Sequence, residues 1–276
     1  MLRVSELYIY PIKSLGGIKL QQAELTDRGF KHDRRWLLVD KKNRFLSQRS
    51  QPKMALLKVS LSPTGLMVTY NLNAHHLHIP FEPQINEPGT VTVWDTPCAA
   101  IFVSYSADRW FSKILGIKCR LAYMPDESFR KVDENHAPKG FVNSFADGYP
   151  FLLLGQSSLD DLNSRLEDKV GMDRFRPNIV FTGGKPFEED LMDNILINNV
   201  SFYGVKLCAR CIMIAIDQDN IKKTKAPLKA LAKYRRQGNN VYFGQNLIHK
   251  GLGTISIGDE ITTLSIHTDK SFMINR

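Results

Sequence analysis

Cysteine is scarce in this chain, with 4 in 276 residues. Cys98 and Cys119 stand far apart, and far from the one close pair, Cys208 and Cys211, so a disulfide framework is disfavoured. A closed zinc site needs a second Cys or His pair at tight spacing. The nearest histidine after Cys211 is His249, and His75, His76 and His78 fall in what reads as a polar, turn-like stretch. No apolar run approaches a membrane span, and residues 1–10 read as a strand rather than a secretory leader. The expectation is a soluble, cytoplasmic chain with no membrane partner. A Gly-rich dinucleotide fingerprint is also missing, since Gly183-Gly184 runs into Lys185-Pro186 instead of opening a helix. No helix-turn-helix, RNP-like aromatic motif or basic helix stands out, so nucleic acid is not expected as a macromolecular partner.

What is present is a 43% hydrophobic chain with a formal net charge of +9. That length and content bury one large core or two smaller ones. The positive charge favours anionic ligands or an acidic protein partner. Short β-branched or alternating runs at 4–10, 19–26, 36–40, 56–62, 66–70 and 90–94 are separated by turn-formers, which suggests a barrel or sandwich. Helices are predicted over 106–115, from Ser157 or Ser158 to Val170, and over 227–236. The stretch 130–148 reads as a long polar loop, functional or mobile. Strands are predicted at 151–154, 178–182, 200–207 and 212–216, and a C-terminal hairpin at 253–257 and 260–266. The fold class is a β-rich α+β protein, divided into an N-terminal β domain (1–122) and a second β-barrel domain (123–276).

Cys208-Ala209-Arg210-Cys211 sits between two apolar runs. Two thiols at that spacing could be half a zinc site, a redox pair, or one thiolate ligand with a bystander. The intervening arginine suits all three, because a fixed positive charge favours the thiolate. A thiol–disulfide role is disfavoured, since the motif does not open a helix in a βαβ setting.

Four further pieces accompany it: 10–14 (Tyr-Pro-Ile-Lys-Ser), 33–36 (Asp-Arg-Arg-Trp), 147–150 (Asp-Gly-Tyr-Pro) and 174–178 (Arg-Phe-Arg-Pro-Asn). A fifth follows at 242–246 (Tyr-Phe-Gly-Gln-Asn). Singly, each is ordinary strand-end or turn chemistry. Together, in this order, they resemble the MOSC family in its two-part form, which includes the mitochondrial amidoxime-reducing component and bacterial reductases of N-hydroxylated bases. Residues 146–150 and 243–247 look like the bacterial branch.

The resemblance implies molybdenum bound to one molybdopterin dithiolene and one protein cysteine, with Cys211 as ligand and catalytic centre. It implies cofactor contacts from Lys13, Ser14, Arg34, Arg176, Ala209 and Arg210. Gly148 and Tyr149 replace hydroxyl residues of the mitochondrial branch, and Asn246 replaces a tyrosine. Basic side chains suit the cofactor phosphate, and a soft thiolate suits a metal already held by sulfur. No pyridoxal phosphate site is expected. The implied activity is reduction of small N-hydroxylated compounds to amines, with Asp217, Tyr149 or water delivering protons. Bacterial relatives often continue into a ferredoxin-like domain. This chain has no cysteines at iron–sulfur spacing, so its electrons are expected from a separate flavoprotein or iron–sulfur donor. The alternative is a persulfide or molybdenum cofactor carrier without substrate turnover.

Overall fold

The computed structural model describes residues 1–72 and 75–274. Its centre is a closed seven-strand barrel. Around the barrel run Phe151–Gly155, Ile179–Thr182, Leu2–Ile9, Glu260–Ile266, Met192–Ile197, Val200–Ala209 and Asn240–Lys250, and the last pairs back to the first at Phe151↔Leu247. Alternating side chains fill a barrel of this size. Val4, Leu7, Phe151, Leu153, Phe181, Ile195, Phe202 and Leu247 form its interior cluster. Phe151 meets the edges of Phe30 and Phe202 at 4.9 and 5.3 Å between ring centroids.

The rest of the first part is a separate body. A four-stranded sheet orders Trp36–Val39, Arg120–Tyr123, Thr96–Phe102 and Glu87–Val93, beside a meander of Leu57–Ser62, Gly65–Tyr70 and His75–Pro80. The helix Tyr105–Leu115 is capped by Ser104 and stopped by Gly116 at φ 72°. It buries Ala107, Phe111 and Leu115 against Trp36, Leu38, Leu66 and Leu121. Fully burying a side chain such as Phe111 contributes roughly 1.5–3 kcal/mol.

The β-rich α+β class is as predicted, and several elements differ. Residues 75–80 form a strand, with Leu77 and Ile79 turned toward the core and the histidines outward. The run after Cys211 is a 3-10 turn, Ile212–Ala215, not a strand, because no neighbouring strand takes its backbone. The helix Gln156–Ser164 stops before Leu166 and Val170. There Asn163 closes the loop, its side chain bonding both the N–H and the carbonyl of Val170. Ser158 is not its cap; that hydroxyl donates to Glu189 and accepts from the Phe187 N–H. The third helix is shorter, Ala226–Ala232.

The C-terminal arms do not form a hairpin. Thr254–Ser256 pairs with Gln22–Thr26, whereas Glu260–Ile266 joins the barrel. The first thirty residues also belong partly to the barrel, since Leu2–Ile9 is one of its strands and Ala23, Leu25 and Phe30 pack in its core. The turn at 10–15 then crosses into the other body, where Ile12 and Leu15 are buried. A cleft opens at this crossing.

Candidate functional site

All ten sequence-predicted site residues, Lys13, Ser14, Arg34, Gly148, Tyr149, Arg176, Ala209, Arg210, Cys211 and Asn246, line one cleft of about 160 Å³. It widens into a vestibule of about 600 Å³ that shares Asp147, Tyr149 and Cys211 with it. The first body contributes Lys13, Ser14, Arg34 and Arg49, and the barrel contributes the arginines at 174 and 176 and the cysteine motif. Interfaces between two packed bodies are preferred ligand sites.

The cationic wall is held by backbone strain and buried bonds. Ser14, Arg34 and Arg176 adopt left-handed φ of 68°, 48° and 55°. Such backbone costs of order 1–3 kcal/mol per residue and persists only where its surroundings over-determine it. Here they do. Arg34 Nη1 donates to both oxygens of buried Asp33, at 3.0 and 2.7 Å, and to Asn178 Oδ1 at 2.8 Å. Asn178 in turn receives the Leu152 N–H and donates to the Tyr8 carbonyl. Arg176 Nη1 donates to the Leu15 carbonyl at 2.7 Å. Both guanidinium groups stack on the Tyr10 ring, at 4.3 and 4.1 Å.

Electrostatics separates these groups. Burial pushes Asp33 up, and the Arg34 charge and hydrogen bonds oppose that. Burial pulls Arg176 down to about 10; it has no ion-pair partner among the described residues. Burial also lowers Lys13, whose Nζ donates to the Phe145 carbonyl and to Asp147 Oδ1, both at 2.7 Å. Desolvation opposes ionisation of Asp147. The charge and hydrogen bond of Lys13, with the Trp94 indole N–H at 3.0 Å, outweigh it and hold this carboxyl well below the usual range. These lysine and arginine side chains are therefore not the exposed surface charges their sequence positions suggested.

The cysteine motif ends the strand Val200–Ala209. Cys211 is exposed and Cys208 half-buried, and burial pushes the Cys208 thiol up. Arg210 does not spend its donors on the thiols. Its Nε donates to the Phe243 carbonyl at 2.8 Å and its Nη1 to the Phe175 carbonyl at 2.9 Å. Gly244, at φ 81°, lets the chain pass; a Cβ there would meet the Leu153 carbonyl at 2.8 Å and Arg210 Nη2 at 3.3 Å. Arg210 Nη2 and Arg174 Nη1 are buried and take no hydrogen-bond acceptor from the described residues. Asn246 is tied to the Lys206 carbonyl, and Tyr149 donates its hydroxyl to the Asp133 carbonyl.

The loop 130–148 is anchored rather than free. Buried Arg130 donates to the carbonyls of Ser144, Ala146 and Asp147. Asp217 does not line the cleft; it pairs with Arg174 at 2.8 Å and accepts the N–H groups of Asp219 and Asn220. The residue-level reading passed over Tyr10, Arg49, Trp94, Arg174 and Asn178. Of these, Trp94 was detectable as an aromatic at a turn, and its φ of 57° and stacking under Arg49 at 4.2 Å hold it at the vestibule mouth.

Six cations and one carboxylate line the inner cleft, and Arg49, Arg176 and Arg210 have no carboxylate partner among the described residues. The donor set fits an anion with several acceptor oxygens beside two thiols, Cys211 exposed and Cys208 half-buried. No cluster of three or more His, Cys, Asp or Glu among the described residues could hold a metal unaided. A soft metal here would take one sulfur from Cys211 and the rest from ligands it brings.

Comparison with known proteins bears on the family. Residues 1–118 match the MOSC N-terminal beta barrel domain and residues 141–262 match the MOSC domain. The chain is 31% identical to mitochondrial amidoxime-reducing component 1 of Homo sapiens, over 95% of this chain and 82% of that protein. It is 30% identical to mitochondrial amidoxime reducing component 2 of Bos taurus, over 94% and 82%. Molybdenum cofactor sulfurase of Arabidopsis thaliana is 30% identical, over 94% of this chain and 35% of that longer protein.

Proposed function

The chain belongs to the MOSC family, carrying both its N-terminal β-barrel domain and its MOSC domain, and from that premise we propose that it is a molybdenum-cofactor-binding reductase of small N-hydroxylated compounds. The observation that carries the proposal is the cleft itself. An exposed thiol shares the cleft with six cations, of which Arg49, Arg176 and Arg210 have no carboxylate partner among the described residues.

Cys211 is the proposed metal ligand. Lys13, Ser14, Arg34, Arg176 and Arg210, with Ala209, Gly148, Tyr149 and Asn246, are the proposed cofactor contacts. Fixed guanidinium groups give paired, charge-assisted bonds to phosphate oxygens that lysine cannot copy. When bound, the cofactor supplies two-electron chemistry at the N–O bond. In balance, the N–O bond breaks, two electrons and two protons enter, the nitrogen leaves as an amine and the oxygen leaves as water.

The chain's own residues position the substrate. The vestibule is wide enough for a small molecule, and Trp94 offers a flat apolar wall at its mouth. Asp147 Oδ1 is held by Lys13 and Trp94, and no hydrogen bond is drawn to its Oδ2 from the described residues. As a carboxylate at neutral pH, Asp147 accepts a substrate N–H rather than donating a proton. The Tyr149 hydroxyl is already engaged, so vestibule water is the proton route this reading favours.

The test is molybdenum and pterin quantification on freshly purified protein, followed by turnover of a hydroxylamine-type substrate with a chemically reduced viologen dye. Turnover is expected with the dye and not with NADPH alone. Full molybdenum occupancy without dye-driven turnover would transfer the assignment to a sulfur or cofactor carrier, the reading that the sulfurase relatives favour. Cytoplasmic location belongs to the same proposal and is checked by cell fractionation. No described helix is long and apolar enough to cross a membrane.

A further inference from the structure

Between Asp219 and Asp259 the chain carries no acidic residue. Within that stretch Lys222, Lys223, Lys225, Lys229, Lys233 and Arg236 are all exposed. None of the six forms an ion pair with the described residues. Some lysines elsewhere are paired, with Lys19, Lys31 and Lys58 each facing a carboxylate at 2.7–2.8 Å, whereas others, such as Lys113 and Lys118, are exposed and unpaired among the described residues. Arg235, from the same basic run, is buried against Asp190 and is structural. What sets this stretch apart is a run of basic residues with no acidic residue among them, a local excess of charge that steers an oppositely charged protein.

That face carries a groove of about 340 Å³, with Leu228 and Ala232 as its apolar part and Arg210, Lys225, Lys229 and Arg236 as its charged part. An apolar centre with a charged rim is the anatomy of a protein interface rather than of a phosphate track. Arg210 also links the groove to the cleft. The backbone is extended here: Ala209 pairs with Tyr242, the Arg210 N–H bonds the Val241 carbonyl, and Cys211 has φ −112° and ψ −177°. Successive side chains of extended backbone point to opposite faces. Ala209 and Cys211 accordingly line the vestibule, and Arg210 lines the groove. The vestibule and the groove share no lining residue.

We infer that the Lys225–Lys229 face is the docking site for an acidic electron-transfer protein carrying a flavin or an iron–sulfur cluster. This rests on the reductase reading above. The partner sits on the Arg210 side of the cysteine motif, one residue from Cys211, while substrate enters through the vestibule. Two electrons enter for each N–O bond broken, both from one fully reduced flavin partner or one from each of two reduced iron–sulfur partners docking in turn; the partner is oxidised, and vestibule water supplies the two protons.

The test uses cofactor-loaded protein and two donors, a flavodoxin and a [2Fe–2S] ferredoxin, each reduced by NADPH through its own reductase, with reduced viologen in parallel. Lys225→Glu combined with Lys229→Glu should lower protein-driven kcat/KM at least tenfold at low salt. Dye-driven turnover and molybdenum content should stay at wild-type levels. At 0.5 M salt, where screening acts within roughly 4–5 Å, the two proteins should converge to within about twofold. The control Lys113→Glu with Lys118→Glu makes the same charge change on the other body and should behave as wild type. Equal loss in this control would make the effect one of net charge and overturn the inference. So would unchanged protein-driven turnover in the Lys225/Lys229 variant, or failure of both donors with the wild type while the dye works. Binding of a 20-base-pair DNA duplex at physiological salt that the variant loses, with donor-driven turnover intact, would assign the face to nucleic acid instead. Absent dye-driven turnover in the fully loaded wild type would instead strike the reductase reading.

Discussion

Arg34 and Arg176 stack on the same tyrosine ring, yet the structure assigns them unequal contributions to folding. Both sit at left-handed backbone, φ 48° and 55°. Replacing each with glycine therefore relieves similar strain and adds similar unfolded-state entropy, so the backbone effects largely cancel between the two variants. What differs is the charge. Arg34→Gly removes the ion-pair partner of Asp33, whose side chain is 1% exposed. Stranding a buried charge costs about 3–5 kcal/mol.

Arg176→Gly removes a cation that burial has pulled down to about 10, a displacement opposing folding by something on the order of 3 kcal/mol. Its removal forfeits the bond to the Leu15 carbonyl, worth roughly 1.5–3 kcal/mol, and the Tyr10 stack, worth roughly 0.5–2 kcal/mol. The net change should run from about 1 kcal/mol of stabilisation to about 2 kcal/mol of loss. At about 2–4 °C per kcal/mol for a chain of this size, apo Arg34→Gly should melt roughly 6–20 °C below wild type, and apo Arg176→Gly between roughly 4 °C above it and roughly 8 °C below. Both should lose cofactor. Thermal unfolding of apo protein by circular dichroism, paired with molybdenum quantification, measures the two effects separately. Equal melting losses in the two variants would refute the assignment of Arg176 as a charge held at a cost to folding. Full cofactor occupancy in both would remove them from the proposed site.

Cys211→Ser should abolish dye-driven turnover and most tightly held molybdenum while Cys208→Ser does less, and equal loss of metal from both would indicate a two-thiol site. Glu189 is buried with one carboxylate oxygen lacking a hydrogen bond; burial first and the Asp190 charge second push it up to about 7. Its folded value exceeds its unfolded one, so its contribution is complete below about pH 4 and is lost as pH rises through about 7. Glu189→Gln should therefore flatten the fall in stability between pH 5 and 8, removing a slope on the order of 2–3 kcal/mol measured by urea unfolding; a variant that keeps the wild-type slope excludes Glu189 as its source.

Period-two patterning made most strands legible, and it failed where the pattern was read through composition. In 75–80 the histidines suggested a turn, although Leu77 and Ile79 alternate with them as in any half-buried strand. In 212–216 the continuous apolar run could not separate a strand from a buried turn. Neither pattern names a partner strand. The glycine turn near 258 is present, but one arm is claimed by Gln22–Thr26 and the other by Leu2–Ile9 and Met192–Ile197 of the barrel, none of them near the turn in sequence. Motifs located Lys13, Arg34, Arg176 and Cys211, because each is a cation or a thiol inside a short motif and carries chemistry of its own. Tyr10 and Asn178 stand in the same motifs but read as turn and strand-end residues, and Arg49 and Trp94 belong to none. Their importance is relational: a ring under two guanidinium groups, a cation over an indole, an amide serving three segments.

The same relational view explains why the cleft is built from locally unfavourable choices. Left-handed Ser14, Arg34 and Arg176, and, among the described residues, a buried cation without a carboxylate and two guanidinium nitrogens without acceptors, would each be selected against in a structural role. They occur together, and they are carried by firm supports: a closed barrel on one side, buried Asn178 and Asp33 between, and Arg130 binding three carbonyls of the 144–147 loop. Residues that only held the two bodies together could have been apolar at no loss, since replacing a buried charge pair with packed hydrophobics is often neutral or stabilising. Concentrating unfavourable charge and backbone where the scaffold is most rigid makes physical sense for a site that must meet an anion without rearranging. That is the arrangement expected if the cleft, and not the fold, is what these residues serve.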